Sequence, residues 1–297
     1  MLRTAVAIGF LVCIGATILI VVAMHRRQQN IYDGFHQLHC AGKRGTEHQS
    51  QLIPKRIYRT WKTATLPPIF QEAWEFTARH NPEYEQTLYT DTMARAFMST
   101  FMGGYARRAY EMLVPGAAKA DLLRYCLMYE YGGVYLDGKS GAKSLRDMIR
   151  RKDKMLISTW NSMFDPIERP ELAGFYRFGE FQQWWLACVP RHPFMEKLIK
   201  KVVHSVDARL ERQQLRKAGF LGYFYNIDVL KLTGPLAFSA EVIDYVHENG
   251  DGIRMLCENG NGTMVYDVSG KHESGGDYGS PGPMLRNPEY VWGSYTG

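Results

Sequence analysis

The chain has 297 residues, enough for one large or two small domains, and 45% of them are hydrophobic, enough for a sizeable core. Its formal charge is +6 and its pI is about 9.0, a mild basicity that suits a phosphate-bearing substrate or an anionic membrane surface. No nucleic-acid motif accompanies that charge, there is no internal repeat, and the lack of a G-x-G-x-x-G run or a P-loop argues against a dinucleotide dehydrogenase or an NTPase.

Thr4 to Met24 is an uncharged stretch of about 20 residues, long enough to cross a bilayer. A signal peptide would have a shorter apolar core and a small-residue cleavage site, so the stretch reads as an uncleaved anchor. Arg3 precedes it and His25-Arg26-Arg27 follow. The excess of positive charge on the carboxyl side would by rule keep that side cytoplasmic. Residues 28–50 are polar and lack periodicity, which suits a stem. The organisation expected is therefore a tail and transmembrane anchor over 1–27, a stem over 28–50 and a folded domain over 51–297. The sequon Asn261-Gly262-Thr263 favours a lumenal domain. Of five cysteines, Cys13 lies in the anchor. Cys40, Cys126, Cys188 and Cys257 lack metal-ligand spacing and define no disulfide from sequence.

Within the domain, Ile57 to Thr60 is expected to be a parallel strand with Trp61 at its carboxyl end. Pro67-Pro68 precede a helix over Ile69 to His80, which Asn81-Pro82 ends. Tyr84 to Tyr89 reads as a second strand and Thr90-Asp91 as a helix start. Ala117 to Tyr131 lacks Pro and Gly and sets Leu122, Tyr125, Cys126 and Tyr129 at helical spacing. Gly132 and Gly133 stop that helix. Val134, Tyr135 and Leu136 then suit a buried strand, with Asp137 where it emerges. Ligands of open α/β sheets gather at the carboxyl ends of strands. The strand–helix alternation up to Asp137 is that of a nucleotide-binding α/β half. Asp121 and Arg124, three apart, share a helix face. Taken alone they read equally well as a surface ion pair of little energetic value.

Beyond the motif, Lys143 to Lys154 reads as a charged helix and Met155 to Ser158 as a strand. Trp184 and Trp185, within Phe181 to Val189, suit the core. Arg191 to Met195 opens a long helix to about Arg216, whose basic residues read as a solvated face in preference to a membrane contact. Thr233 is placed to cap a late helix with Pro235 in its first turn. The stretch from Ser269 to Gly297, rich in Gly, Ser and Pro, suits a loop that folds over a bound ligand.

Ala120-Asp121-Leu122-Leu123-Arg124-Tyr125 followed by Tyr131-Gly132-Gly133-Val134-Tyr135-Leu136-Asp137-Gly138-Lys139 resembles the signature of glycosyltransferase family 32 and of related sugar-transferring bacterial toxins. That signature is a helix S/A-D-L-L-R-Y and then Y-G-G-I/V-Y-L-D-x-D. Weaker landmarks occur in the same order: Ile53-Pro54-Lys55-Arg56-Ile57, His192-Pro193-Phe194, Thr233-Gly234-Pro235 and Ser294-Tyr295. The resemblance implies an α/β, GT-A-like nucleotide-sugar-binding fold with a mixed, mainly parallel sheet, preceded by one transmembrane helix. It implies that Asp121 and Arg124 hold donor-sugar hydroxyls and that Asp137 contacts the nucleotide sugar and a divalent metal, Mn²⁺ or Mg²⁺. Trp61 would stack on the donor base, with a core aromatic as the alternative. Tyr135, Lys139, Ser294 and Tyr295 would complete the donor site, with Trp292 as the alternative to Tyr295 for the tail aromatic. Lys139 stands where the family has its second metal-binding acid, which leaves the metal open.

The function implied is transfer of a hexose from a UDP- or GDP-sugar to a glycan, glycolipid or glycoprotein acceptor, with retention of configuration. The setting implied is a single-pass type II membrane protein of the Golgi or an equivalent endomembrane, opposite in sense to the flanking-charge rule. Nucleic acid is not among the expected partners. The alternative is a non-catalytic relative that binds glycans or donors as a scaffold.

Overall fold

The computed structural model describes residues 51–158, 181–216, 226–249, 252–256 and 258–269. The anchor and stem expected over 1–50, and Ser294 and Tyr295, lie outside the described residues. Among the described residues no helix is long and apolar enough to cross a membrane.

The first half alternates as its sequence predicts. Strand β1 (Arg56–Thr60), helix α1 (Pro68–His80), strand β2 (Glu85–Tyr89), helices α2 (Asp91–Thr100), α3 (Arg107–Met112) and α4 (Gly116–Tyr131), and strand β3 (Gly133–Leu136) follow in order. Thr90 caps α2 through a bond from the Met93 amide to its hydroxyl. Helix α4 is buried over most of its circumference, since every residue from Asp121 to Tyr129 is shielded. Such a helix belongs inside the domain and not on its surface. It packs against the long helix α6 (Pro193–Arg216). Gly132 ends α4 at φ +61°, and a Cβ there would sit 2.5 Å from the Pro190 nitrogen. Gly133 follows at φ +95°, where a Cβ would lie 2.6 Å from the Arg56 carbonyl oxygen. The chain can reverse into β3 this tightly only with glycine at both positions.

The later elements are the two-residue strand β4 (Gly141–Ala142), the short helix α5 (Leu145–Met148), and strands β5 (Met155–Ser158) and β6 (Trp185–Cys188). After α6 come helices α7 (Asn226–Leu232) and α8 (Pro235–Asn249), then strands β7 (Ile253–Leu256) and β8 (Met264–Val265). The main sheet has the order β2-β1-β3-β6-β5-β7. Pairs β1–β2, β1–β3 and β5–β7 are parallel, whereas β3–β6 and β5–β6 are antiparallel. The sheet is therefore mixed and mainly parallel. Strands β4 and β8 form a separate antiparallel ribbon.

Side chains alternate across the sheet with the period of a strand. Tyr58, Tyr135, Leu186 and Met155 face the larger apolar cluster, which holds α4, α6 and part of α8. Ile57, Val134, Leu136, Trp185 and Leu156 face the second cluster on the opposite side. Both faces are covered, as parallel pairing demands. Trp184 and Trp185 are core residues, as expected, and Cys126 is fully buried.

Two local expectations are corrected. The charged helix foreseen over Lys143 to Lys154 shrinks to Leu145–Met148. Asn81, 64 residues away in sequence, accepts the Leu145 amide on its side-chain oxygen at 2.7 Å. The chain then turns at Arg150–Asp153, where the Asp153 carboxylate takes the Arg150 amide and the Arg254 guanidinium. Thr233 does not occupy the capping position of α8, because Gly234 does; the Thr233 hydroxyl is drawn into the site described below. On α6, Lys197, Lys200 and Lys201 are matched by Glu196, Glu241, Asp244 and Glu248, which supports the solvated-face reading.

Candidate active site

Because β1 and β3 are parallel, Trp61 and Asp137 leave the sheet at the same edge. Strand β6 runs antiparallel to β3, so the residues before it, Gln183 and Trp184, join that edge. The Asp137 amide donates to the Trp184 carbonyl at 2.8 Å. The sheet thus brings three separated segments to one line.

Asp121 and Arg124 lie below that line, inside the protein. Their exposure is 0% and 3%, so the surface-pair reading of this i, i+3 couple does not hold. Arg124 Nη2 is 3.1 Å from Asp121 Oδ1, and Nη1 is 3.1 Å from Asp137 Oδ1. Nη1 also donates to the Gln183 carbonyl at 2.8 Å, and the guanidinium lies over the Tyr135 ring, 4.7 Å from its centroid. Asp121 accepts from Gln183 Nε2 at 3.2 Å and from the Thr233 hydroxyl at 2.9 Å. The Tyr125 hydroxyl lies within hydrogen-bond reach of both the Gln183 side-chain oxygen and the Thr233 carbonyl. One network therefore joins α4, the start of β6 and the α7–α8 turn. Its only acid with substantial exposure is Asp137, a third of whose side chain is accessible.

Electrostatics follow from this burial. Loss of hydration pushes the Asp121 carboxyl up to about 6, against the pull of Arg124 and the Thr233 bond. Desolvation also holds the Asp137 carboxyl above the ordinary range, opposed chiefly by Arg124. The Tyr135 phenol is raised by burial, and its hydroxyl is 3.1 Å from that of Thr60. A guanidinium between two carboxylates in a dry setting is a fixed charge, ready to act where charge develops.

Arg59, not singled out in sequence, sits behind the D-x-K turn. It is 1% exposed. Its Nη1 donates to the carbonyls of Asp137 at 2.8 Å, Gly138 at 3.3 Å and Ser140 at 2.6 Å. Its Nη2 reaches the Thr77 hydroxyl at 2.9 Å and the Ala73 carbonyl at 3.3 Å. Desolvation lowers the guanidinium to about 10, so it stays charged at neutral pH. The sequence signal for it was an arginine within a strand of otherwise buried neighbours, I-Y-R-T. Gln183, and Thr233 as a partner of Asp121, were also missed.

The turn is fixed from its other side as well. Gly138 lies against the Phe70 ring so closely that a Cβ would overlap it. Phe70 in turn meets Trp61 edge-on, with centroids 4.6 Å apart. Trp61 is half-buried, with Lys62 over its ring, and is not a core residue. The Lys139 carbonyl accepts the Val268 amide at 3.1 Å, and the Ser140 hydroxyl donates to the Tyr266 carbonyl at 2.7 Å. Lys139 does not extend into solvent. Its ammonium is 3.5 Å from Asp267 Oδ2 and 4.8 Å from the centroid of the Tyr266 ring. Burial raises the Asp267 carboxyl, but the Ser269 hydroxyl and amide, with the Lys139 ammonium, hold it below the ordinary range.

The described residues do not fit a divalent metal at this turn. The second D-x-D position is an ammonium already committed to an acid, and no three His, Cys, Asp or Glu side chains among the described residues converge on a point. The structure thus brings Trp61, Asp121, Arg124, Tyr135, Asp137 and Lys139 to one edge of the sheet.

Residues 67–156 match the family described as the glycosyltransferase sugar-binding region containing the DXD motif. The resemblance carried by A-D-L-L-R-Y and Y-G-G-V-Y-L-D is thereby borne out. Among individual proteins, the chain is 28% identical over 216 residues to an initiation-specific alpha-1,6-mannosyltransferase of Candida albicans, covering 67% of this chain and 54% of that protein. It is 26% identical over 188 residues to inositol phosphoceramide mannosyltransferase 2 of Schizosaccharomyces pombe, covering 63% of this chain and 46% of that protein. The chain spans about half the length of these curated relatives. Among solved structures it is similar to the UDP-bound glycosyltransferase domain of the YGT toxin, at 10% identity and a TM-score of 0.46, over 76% of this chain and 83% of that one.

Proposed function

We propose that this chain is a GT-A-like hexosyltransferase that moves a sugar, with mannose the first candidate, from a nucleoside-diphosphate donor to a glycan or lipid acceptor. The observation that carries the reading is the Asp121–Arg124–Asp137 chain of charges, buried at one end and open to solvent at the other, at the carboxyl edge of parallel strands. The relatives' names supply the sugar and the choice of acceptors.

Chemistry assigns roles to the residues. Cleaving a sugar–phosphate bond leaves negative charge on the diphosphate and positive charge on the ring. Arg124 holds the Asp137 carboxylate in place, and Asp137 faces the donor where that separation occurs. Asp121 is fully buried and acts on the donor through Arg124, by holding its guanidinium. Trp61 stacks on the base, a contact worth about 1–3 kcal/mol in nucleic-acid systems. Retention of configuration fits a front-face course in which the leaving phosphate deprotonates the acceptor hydroxyl. Ser294 and Tyr295 would close over the donor from the carboxyl tail. The uncharged stretch from Thr4 to Met24 would anchor the domain in an endomembrane, facing the lumen.

The test is donor hydrolysis by the full-length chain on a panel of UDP- and GDP-sugars, beside Asp137→Ala. Hydrolysis of one donor that is lost in the variant is the expected result. No turnover together with no nucleotide binding would leave the scaffold reading in its place.

A further inference from the structure

We infer that Lys139, held by Asp267, is the resident cation for the donor diphosphate, standing where a D-x-D site with two acids would recruit a divalent ion. The inference rests on the transferase reading above and concerns how that site neutralises phosphate.

The argument begins with charge. Three acids among the described residues surround the turn: Asp121, Asp137 and Asp267. Three cations face them: Arg59, Arg124 and Lys139. The cluster closes neutral. An acid at position 139 would replace +1 by −1 and leave the same cluster at −2, which is the charge a divalent ion supplies. Lysine here removes the deficit that would draw a metal in.

Geometry makes the same case. The backbone that presents Lys139 is pinned on three sides: by Arg59 through the carbonyls of Asp137, Gly138 and Ser140, by Phe70 against Gly138, and by the Val268 amide on the Lys139 carbonyl. The ammonium is pinned as well. Asp267 Oδ1 is occupied by the Ser269 amide and hydroxyl, which turns Oδ2 toward Lys139. The Tyr266 ring lies beneath the ammonium. Its side chain keeps 19% exposure, against 2% for Asp267. Lys139 lies two residues beyond Asp137 and near enough to lower the Asp137 carboxyl electrostatically. A solvated lysine would lose side-chain entropy on meeting phosphate, whereas this one is already ordered.

The test is nucleotide binding, read by calorimetry on the full-length chain in detergent with UDP and GDP as probes, in EDTA and in Mn²⁺. The wild-type affinity is expected to agree within about threefold between the two buffers. Lys139→Met should lose about tenfold or more in EDTA, the value of one charge-assisted hydrogen bond. Asp267→Asn keeps the ammonium but loosens its hold, and should lose less affinity than Lys139→Met, while Lys139→Arg should rescue. If the pair were merely structural, Lys139→Met and Asp267→Asn would weaken binding equally, and that result overturns the inference. So does wild-type binding that vanishes in EDTA and returns with Mn²⁺, a comparison that needs no variant to fold. Failure to bind either nucleotide in both buffers would instead remove the transferase reading, and this inference with it.

Discussion

Gly138 provides the sharpest test of how the turn is built. A Cβ at this position would overlap the edge of the Phe70 ring, and Phe70 is braced by Trp61 at 4.6 Å. Gly138→Ala therefore forces either the ring or the turn to move. Overpacking of this kind costs typically about 1–3 kcal/mol. Taking about 2 kcal/mol, the midpoint of thermal unfolding should fall by about 4–8 °C for a domain of this size. Phe70→Ala alone should cost about 2 kcal/mol, less than a fully buried phenylalanine because the ring is half-buried. The double variant decides the matter. With the ring gone, the methyl group added by Gly138→Ala meets nothing there, so the pair should cost little more than Phe70→Ala, a coupling of about 2 kcal/mol. Urea midpoints for the four proteins supply the cycle. Penalties that add to within about 0.5 kcal/mol would show that Phe70 does not set the turn.

Arg59→Leu removes the donor shared by three loop carbonyls, and at about 1–3 kcal/mol per stranded group it should erase most of the stability of a domain worth about 5–15 kcal/mol. Circular dichroism would reveal it, and a variant with an unchanged melting curve would exclude the clamp. The pH dependence of Asp121 has a defined sign. Its folded-state pKa is raised from 3.8 to about 6, so its contribution to stability is present below the unfolded value and is lost as the pH rises through about 6. Relative to Asp121→Asn, the wild type should lose up to roughly 3 kcal/mol between pH 4 and 7; urea midpoints that move in parallel for the two proteins would contradict this. Trp61→Ala should raise the donor KM by about 5–150-fold with little change in melting temperature, because the ring is half-buried. A large drop in stability with unaltered KM would return Trp61 to a packing role.

Much of the first half was legible because local signals agreed there. Pro67-Pro68, the Thr90 cap and the Gly132-Gly133 reversal each have one backbone solution, and all three stand where the sequence puts them. Helix α4 was legible as a helix, but not in its depth: Leu122, Tyr125, Cys126 and Tyr129 suggested one buried stripe, whereas Asp121 and Arg124 are buried with them. A charged residue advertises exposure unless its partners are known, and the partners here, Gln183 and Thr233, lie 62 and 112 residues from Asp121. Arg59 was hidden for the same reason, since its acceptors are four backbone carbonyls, which no side-chain pattern records, and a single hydroxyl, that of Thr77. The short α5 departed from the expected helix because Asn81 holds its first residue, Leu145, and Asp153, paired with Arg254, takes the Arg150 amide into a turn just past its end. The Lys139 substitution was visible as a departure from D-x-D, but Asp267 opposite it could be located only once β8 had been laid beside β4.

The site's construction also explains why its charges lie so deep. Two buried guanidiniums and a buried carboxylate are expensive arrangements, and apolar residues of similar volume often give equal or greater stability in such positions. Their value to this fold lies in geometry. Arg124 spans Asp121 and Asp137, so the open acid inherits its orientation from a helix locked in the core. Arg59 does the same for the backbone of the turn, using carbonyls in place of carboxylates. Water cannot screen either cation, so the field at Asp137 is set by the fold and does not relax when a ligand arrives. The same burial makes the site sensitive at a distance. A change at Thr233 or Gln183 would reach the exposed carboxylate through Asp121 and Arg124, although neither residue need touch the donor.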